Sequence, residues 1–167
     1  VQKWPGKRAL RKGPKTTLEI ALLADGVAPQ DVYKTLATPA GVDRAFNKLS
    51  QLKPNLIWWE KGAQPPQMLA AGEAVMVDAY NGRIDAANTK DKKNFKIVWT
   101  NNLYTIDSWV IMKGSPNKAD AEKFLVFVND PNYQKNLPTK IAYSVTSKAA
   151  IAMIDPKVHA NLATAPE

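Results

Sequence analysis

The sequence predicts an α/β fold in which helices flank a central sheet. Short apolar runs, which are typical of buried strands, alternate with segments whose apolar residues recur every three or four positions, as in amphipathic helices. The chain has 167 residues, 45% of them hydrophobic, which is enough for one sizeable core. A globular protein is therefore expected.

Helix signals are strongest in the first third of the chain. Thr16 and Glu19 have the spacing of a capping box, which predicts a helix that ends at Gly26. Further helices are expected over 30–36 and 39–52. The predicted apolar face of the third helix consists of Val42, Ala45, Phe46 and Leu49.

Strands are predicted where apolar runs are bounded by Gly, Pro or Asn. The run 74–80 has the near-continuous apolar character of a strand inside a parallel sheet, and Asn81-Gly82 ends it. The full set of predicted strands is 7–10, 56–59, 74–80, 95–100 and 107–112. Short helices between them, over 65–71 and 83–88, complete the alternation.

Composition excludes several function classes. The formal net charge of +8 raises nucleic acid as a partner, but the basic residues form no recognition helix and are not interleaved with aromatics, so no nucleic-acid partner is expected. The chain has no cysteine, and its one histidine, His159, has no triad partners in sequence. We expect no metal, no cofactor and no enzyme, although paired carboxylates among Asp78, Asp85 and Asp107 leave a hydrolase as a minor alternative.

Several motifs follow one another in an order that is more specific than any one of them. They are Trp4-Pro5-Gly6-Lys7-Arg8, Trp58-Trp59-Glu60-Lys61-Gly62, Gly72-Glu73, Ala79-Tyr80-Asn81-Gly82-Arg83, Asp107-Ser108-Trp109-Val110-Ile111 and Ile141-Ala142-Tyr143-Ser144. In this order they resemble the extracellular solute-binding proteins of ABC importers, specifically the spermidine/putrescine-binding type.

The resemblance implies one lobe of a type II periplasmic binding protein, with a central mixed sheet flanked by helices and the first lobe missing. Residues 1–106 correspond to the second lobe, 107–152 to the hinge crossing and helices that return to the first lobe, and 153–167 to a tail. The family's partners are ABC permease subunits, and a missing first lobe or a second chain is expected to complete the clamp. A periplasmic location follows, with any signal peptide absent from this chain.

Three side chains gain a ligand-binding role from the resemblance, and strand alternation adds Trp59. Tyr80 matches an aromatic wall of the pocket, and Asp107 matches an acidic position that receives an amine. Tyr143 approaches the cleft from the first-lobe side, and Trp59 faces the cleft if β alternation continues. The alternatives are a core tyrosine, a structural ion pair for the aspartate, and packing for the tryptophan.

Three polar side chains complete the predicted site. Gln64 and Gln67 lie at the start of a short helix, where they hold a polar group or merely cap the surface. Arg83 departs from the polyamine-binding pattern. If it points into the cleft, it and Asp107 form opposite-charge anchors for an ω-amino acid, whereas an Arg83 that points away from the cleft leaves a polyamine as the solute. The alternative function is a stand-alone interaction or scaffold module without a small-molecule ligand.

Overall fold

A computed structural model describes residues 3–165. The chain divides into two compact units, with the boundary between Leu103 and Tyr104. This boundary is close to the one expected between the lobe and the hinge crossing. The assignment of each unit to a lobe stays a prediction.

The first unit contains a three-stranded sheet. Its strands are β1 (Arg8–Arg11), β2 (Leu56–Trp59) and β3 (Met76–Val77), in the order β2-β1-β3. Both pairs are parallel, rather than mixed as expected. The α/β class is confirmed, and β3 is shorter than the predicted 74–80, although Val75 and Asp78 still donate backbone hydrogen bonds to β1 or its approach.

Five helices accompany this sheet. They are α1 (Thr17–Ala24), α2 (Val32–Leu36), α3 (Pro39–Leu52), α4 (Gln64–Ala70) and α5 (Asn81–Lys90). Short 3-10 turns over Pro29–Asp31 and Lys53–Asn55 precede α2 and β2. The bounds of α3 match the prediction because Thr38 caps its start, accepting a hydrogen bond from the Gly41 amide, and Pro54 follows its end.

The main core lies where α1 and α3 pack on β1. It is formed by Leu10, Ala21, Leu22, Val32, Ala45 and Leu49. The buried positions of α3 are Gly41, Ala45 and Leu49, one every fourth residue, so the prediction of Phe46 on this face was wrong: its side chain is 54% exposed. Gly41 is required because an added Cβ would lie 1.9 Å from the Thr35 carbonyl oxygen at the end of α2.

An ion pair joins the charged face of α3 to the end of α1. Asp25 Oδ2 lies 2.6 Å from Arg44 Nε, and Asp25 Oδ1 lies 3.3 Å from Lys48 Nζ. Hydrogen bonds from Arg44 and, to a smaller extent, from Lys48 hold the pKa of Asp25 below its ordinary value.

The predicted capping box is absent. Thr16 has a left-handed backbone with φ of 71°, and its hydroxyl donates to the Lys15 carbonyl at 2.6 Å instead of capping α1. A capping side chain needs an extended backbone to reach the first helical amides, which this conformation prevents. Glu19 is therefore not held at the helix start, and its carboxylate is buried beside Tyr33.

The second unit is helical. It contains α6 (Lys118–Asn129), α7 (Pro131–Gln134), α8 (Lys148–Ile151) and α9 (Pro156–His159), and a 3-10 turn over Leu137–Thr139. Its core consists of Val145, Ala150, Ile154 and Leu162. No helix in the described part of the chain is both long and apolar enough for a membrane span.

Two predicted strands are not formed. Residues 95–100 and 107–112 lie in irregular backbone without a strand ladder. An apolar run becomes a strand only when a neighbouring strand takes up its backbone hydrogen bonds, and within residues 3–165 these segments have no such neighbour.

Candidate functional site

The carboxyl ends of the three strands meet at one edge of the sheet. Because both pairs are parallel and in register, Arg11 of β1 lies opposite Trp59, and Asp78 directly follows β3. The helices α4 and α5 begin shortly after β2 and β3. In open α/β sheets this edge is where ligands bind, since it gathers loops and helix N-termini.

A buried tryptophan and a carboxylate form the base of this edge. Trp59 is only 2% exposed, and its Nε1–H donates to Asp78 Oδ1 at 2.7 Å. Burial raises the pKa of Asp78, and the Trp59 hydrogen bond and the Arg11 charge partly offset that rise. The Asp78 carboxyl group is thus partly desolvated, and it accepts hydrogen bonds from the Trp59 indole and from the Arg11 backbone amide.

Tyr80 lies on this base. Its ring centroid is 5.9 Å from that of Trp59, in a T-shaped arrangement at 75°. Tyr80 is 40% exposed, so one part of the ring is supported and another faces solvent. Gly62 approaches the ring so closely that an added Cβ would lie 3.0 Å from Tyr80 Cδ2. The structure therefore places Tyr80 as a supported, accessible aromatic surface.

The structure corrects the prediction for Trp59. A side chain that is 2% exposed and already uses its only hydrogen-bond donor cannot form the open wall of a cleft. The half-exposed member of the tryptophan pair is Trp58, at 44%. Trp59 instead supports Tyr80.

The two predicted glutamines differ in their environment. Gln64 Oε1 accepts hydrogen bonds from the backbone amides of Glu60 and Lys61, at 2.8 and 2.7 Å. Its oxygen therefore closes the loop between β2 and α4. Gln67 lies one turn further along α4 and is exposed.

Arg83 lies in the first turn of α5 and is exposed. Its backbone amide donates to the Tyr80 carbonyl at 2.9 Å, which ties its position to that of the aromatic ring. Among the described residues its guanidinium forms no ion pair.

Asp107 and Tyr143 belong to the second unit. Asp107 is exposed in irregular backbone, so the expectation of a carboxylate at a buried strand start was wrong. Tyr143 is partly buried in the segment before Val145. Of the seven predicted site residues, the first unit brings Trp59 and Tyr80 into ring contact.

Asp78 was missing from the predicted site, although the sequence carries a signal for it. It is the one charged residue within the apolar run 74–80, and a carboxylate in a buried strand requires a specific partner. Among residues 3–165, no group of three or more His, Cys, Asp or Glu side chains could hold a metal. The His159 ring nitrogen contacts the Thr164 carbonyl oxygen at 2.9 Å, an arrangement without catalytic character.

Comparison with known families gives a match along almost the whole chain. The model of a family described as bacterial extracellular solute-binding protein matches residues 1–166. A gamma-aminobutyric acid-binding protein of Pseudomonas aeruginosa is 55% identical over 166 residues, which are 99% of this chain and 47% of that protein. The chain thus spans about half the length of this relative.

Solved structures resemble the chain at similar coverage. A structure described as the Atu4243-GABA receptor is 34% identical with a TM-score of 0.80, over 96% of this chain and 49% of that one. The PBP MotA from A. tumefaciens B6, in complex with glucopine, is 33% identical with a TM-score of 0.83, over 99% of this chain and 52% of that one.

Proposed function

The chain belongs to the bacterial extracellular solute-binding protein family, and on that premise we propose that it contributes one lobe of a receptor for a small ω-amino acid. The observation that carries the proposal is the carboxyl edge of the sheet, where Tyr80 forms an accessible aromatic surface on the Trp59–Asp78 pair. No covalent step is part of the proposed function. The protein binds and releases its solute unchanged.

Tyr80 supplies the apolar contact. An aromatic face packs well against a short methylene chain and attracts a neighbouring cation. The buried Trp59 already holds the ring in one orientation. Binding a solute therefore costs less side-chain conformational entropy at Tyr80.

Arg83 supplies the charge that favours a zwitterion over a polyamine. Its guanidinium forms no ion pair with another described residue and can bind a carboxylate in bidentate geometry. A carboxylate there meets an opposite charge, whereas an ammonium would meet like charge. The name of the 55% identical relative, a gamma-aminobutyric acid-binding protein, supports the same ligand class.

The whole receptor requires a second lobe. We propose that Asp107 receives the ammonium of the solute and that the Tyr143 hydroxyl donates a hydrogen bond to a solute oxygen from the first-lobe side once the clamp closes. Closure then presents the receptor to ABC permease subunits in the periplasm. Because the solute binds the closed state more tightly than the open state, it shifts the population toward the closed state.

NMR titration of the 167-residue chain tests the proposal. One lobe offers part of the contacts, so 4-aminobutyrate is expected to bind at about millimolar affinity, with amide shifts centred on Tyr80 and Arg83. Putrescine and spermidine should shift these amides less, and Tyr80→Ala should weaken 4-aminobutyrate about tenfold. Equal or stronger shifts with putrescine would show a polyamine receptor. The absence of saturable shifts with all three solutes would favour an interaction module.

A further inference from the structure

The first unit contains a pocket on the flank of α1 and α2, away from the carboxyl edge of the sheet. Its lining includes Glu19, Leu23, Val32, Tyr33 and Asn101, and its volume is about 70 Å³. None of its lining residues belongs to the Trp59–Asp78–Tyr80 cluster.

One carboxylate oxygen in this pocket has no partner. Glu19 is 9% exposed, and its Oε2 is buried without a hydrogen bond to any described residue. Its Oε1 has one contact, the Tyr33 hydroxyl at 3.5 Å, which is the long limit of a hydrogen bond. Burying a carboxylate with so little water and so few hydrogen-bond donors costs free energy. A cation that enters the pocket and donates to the carboxylate reduces this cost.

The walls select the kind of cation. They are predominantly apolar, formed by Leu23, Pro29, Val32 and the ring of Tyr33, with the Asn101–Asn102 turn at the rim. That turn is fixed by the left-handed backbone of Asn101, φ 55°, and by the Asn102 amide, which donates to the Trp99 carbonyl at 3.0 Å.

A metal ion is a poor fit for this pocket. Metals need several oxygen ligands, and residues 3–165 hold no group of three or more acidic or histidine side chains. An alkylammonium satisfies both features: its N–H groups reach the carboxylate, while its methylenes lie against carbon and its charge against the tyrosine face.

We propose that the Glu19 pocket binds a small primary alkylammonium ion, at a site separate from the proposed solute site. The ammonium donates to Glu19 Oε2 and the alkyl chain packs on Leu23, Val32 and Tyr33. The volume admits a chain of a few carbons, about the size of propylammonium. The proposal does not depend on the proposed function, because the two sites share no residue.

Titration of the 167-residue chain with n-propylammonium, followed by amide NMR, tests this site. Saturable shifts are expected at Glu19, Tyr33 and 101–103, and methylammonium should bind more weakly by about fourfold for each methylene it lacks in the pocket. Sodium at equal ionic strength and 1-propanol, which keeps the chain without the charge, should not reproduce these shifts.

Glu19→Gln is the decisive variant, because it keeps the side-chain shape and removes the charge. Affinity for n-propylammonium should fall at least tenfold. Glu73→Gln is the matched control, since it changes the net charge equally at an exposed position. Unchanged affinity in Glu19→Gln, equal shifts with 1-propanol or sodium, or no saturable shift in the unmodified chain would each overturn the proposal. The titration of the unmodified chain needs no variant, so it tests the proposal even if Glu19→Gln fails to fold.

Discussion

The substitution Trp59→Phe tests the hydrogen bond between Trp59 and Asp78 at the carboxyl edge of the sheet. The substitution keeps an aromatic ring in the core but removes the Nε1–H that donates to Asp78 Oδ1 at 2.7 Å. The expected result is a loss of about 2–3 kcal/mol in the free energy of unfolding of the first unit at about pH 7.

Two contributions make up this magnitude. A hydrogen bond to a charged acceptor contributes about 1.5–3 kcal/mol, and the partial exposure of Asp78 favours the lower end. The smaller ring leaves a small cavity at a site that is 2% exposed, which adds about 1 kcal/mol.

The pH dependence separates the two contributions. Asp78 has a raised pKa, so its ionised form destabilises the fold as pH rises above 3.8, and the Trp59 donor limits that loss. Without the donor the pKa rises further. The destabilisation by Trp59→Phe should therefore grow with pH and be about 1 kcal/mol smaller at about pH 4 than at about pH 7.

Urea denaturation followed through the NMR amide signals of β1 reports on the first unit alone. Trp58→Phe is the matched control, because Trp58 is the 44% exposed neighbour in the same strand, and it should cost under about 1 kcal/mol. An equal effect of Trp59→Phe at both pH values would refute the charge-assisted bond and leave a packing effect only.

Three further substitutions test the frame around the site. Gly41→Ala should destabilise the first unit by more than about 2 kcal/mol despite better helix propensity, because the new Cβ meets the Thr35 carbonyl oxygen; unchanged urea midpoints would contradict the α2–α3 approach. Gly62→Ala should reduce the near-ultraviolet circular dichroism of Tyr80 by pushing its ring, whereas an unaltered spectrum would place the ring elsewhere. Asp25→Asn should lower stability at neutral pH, and the difference should vanish as pH falls through the depressed pKa of Asp25; a pH-independent difference would exclude its ion pairs.

Local signals predicted the elements that depend on local chemistry. The α3 helix was predicted from its cap, its periodicity and the proline after it, and all three operate within the segment itself. The strand β2 followed from an apolar run that finds β1 beside it. The segments 95–100 and 107–112 carry the same kind of run, but a strand also requires a pairing partner, which a linear pattern cannot supply.

The candidate site was predictable in part. The sequence indicated Tyr80 but assigned the exposed role to Trp59 rather than Trp58, since alternation identifies two faces without saying which is buried. Predicting Asp78 as a site residue requires the strand register, because the register brings its carboxyl group to the Trp59 indole. The sequence assigned Glu19 to a capping box. In the structure the left-handed backbone of Thr16 prevents that box, and the Glu19 side chain lines a pocket instead.

The central claim is that Arg83 selects a zwitterion at the carboxyl edge of the sheet. Charge reversal by Arg83→Glu tests it directly, with 4-aminobutyrate and putrescine titrated into the original chain and the variant under NMR observation. The exposed position of Arg83 makes this change tolerable for the fold. We predict that the original chain prefers 4-aminobutyrate and that the variant prefers putrescine, because the anchor now attracts an ammonium. The same preference in both proteins would contradict the account.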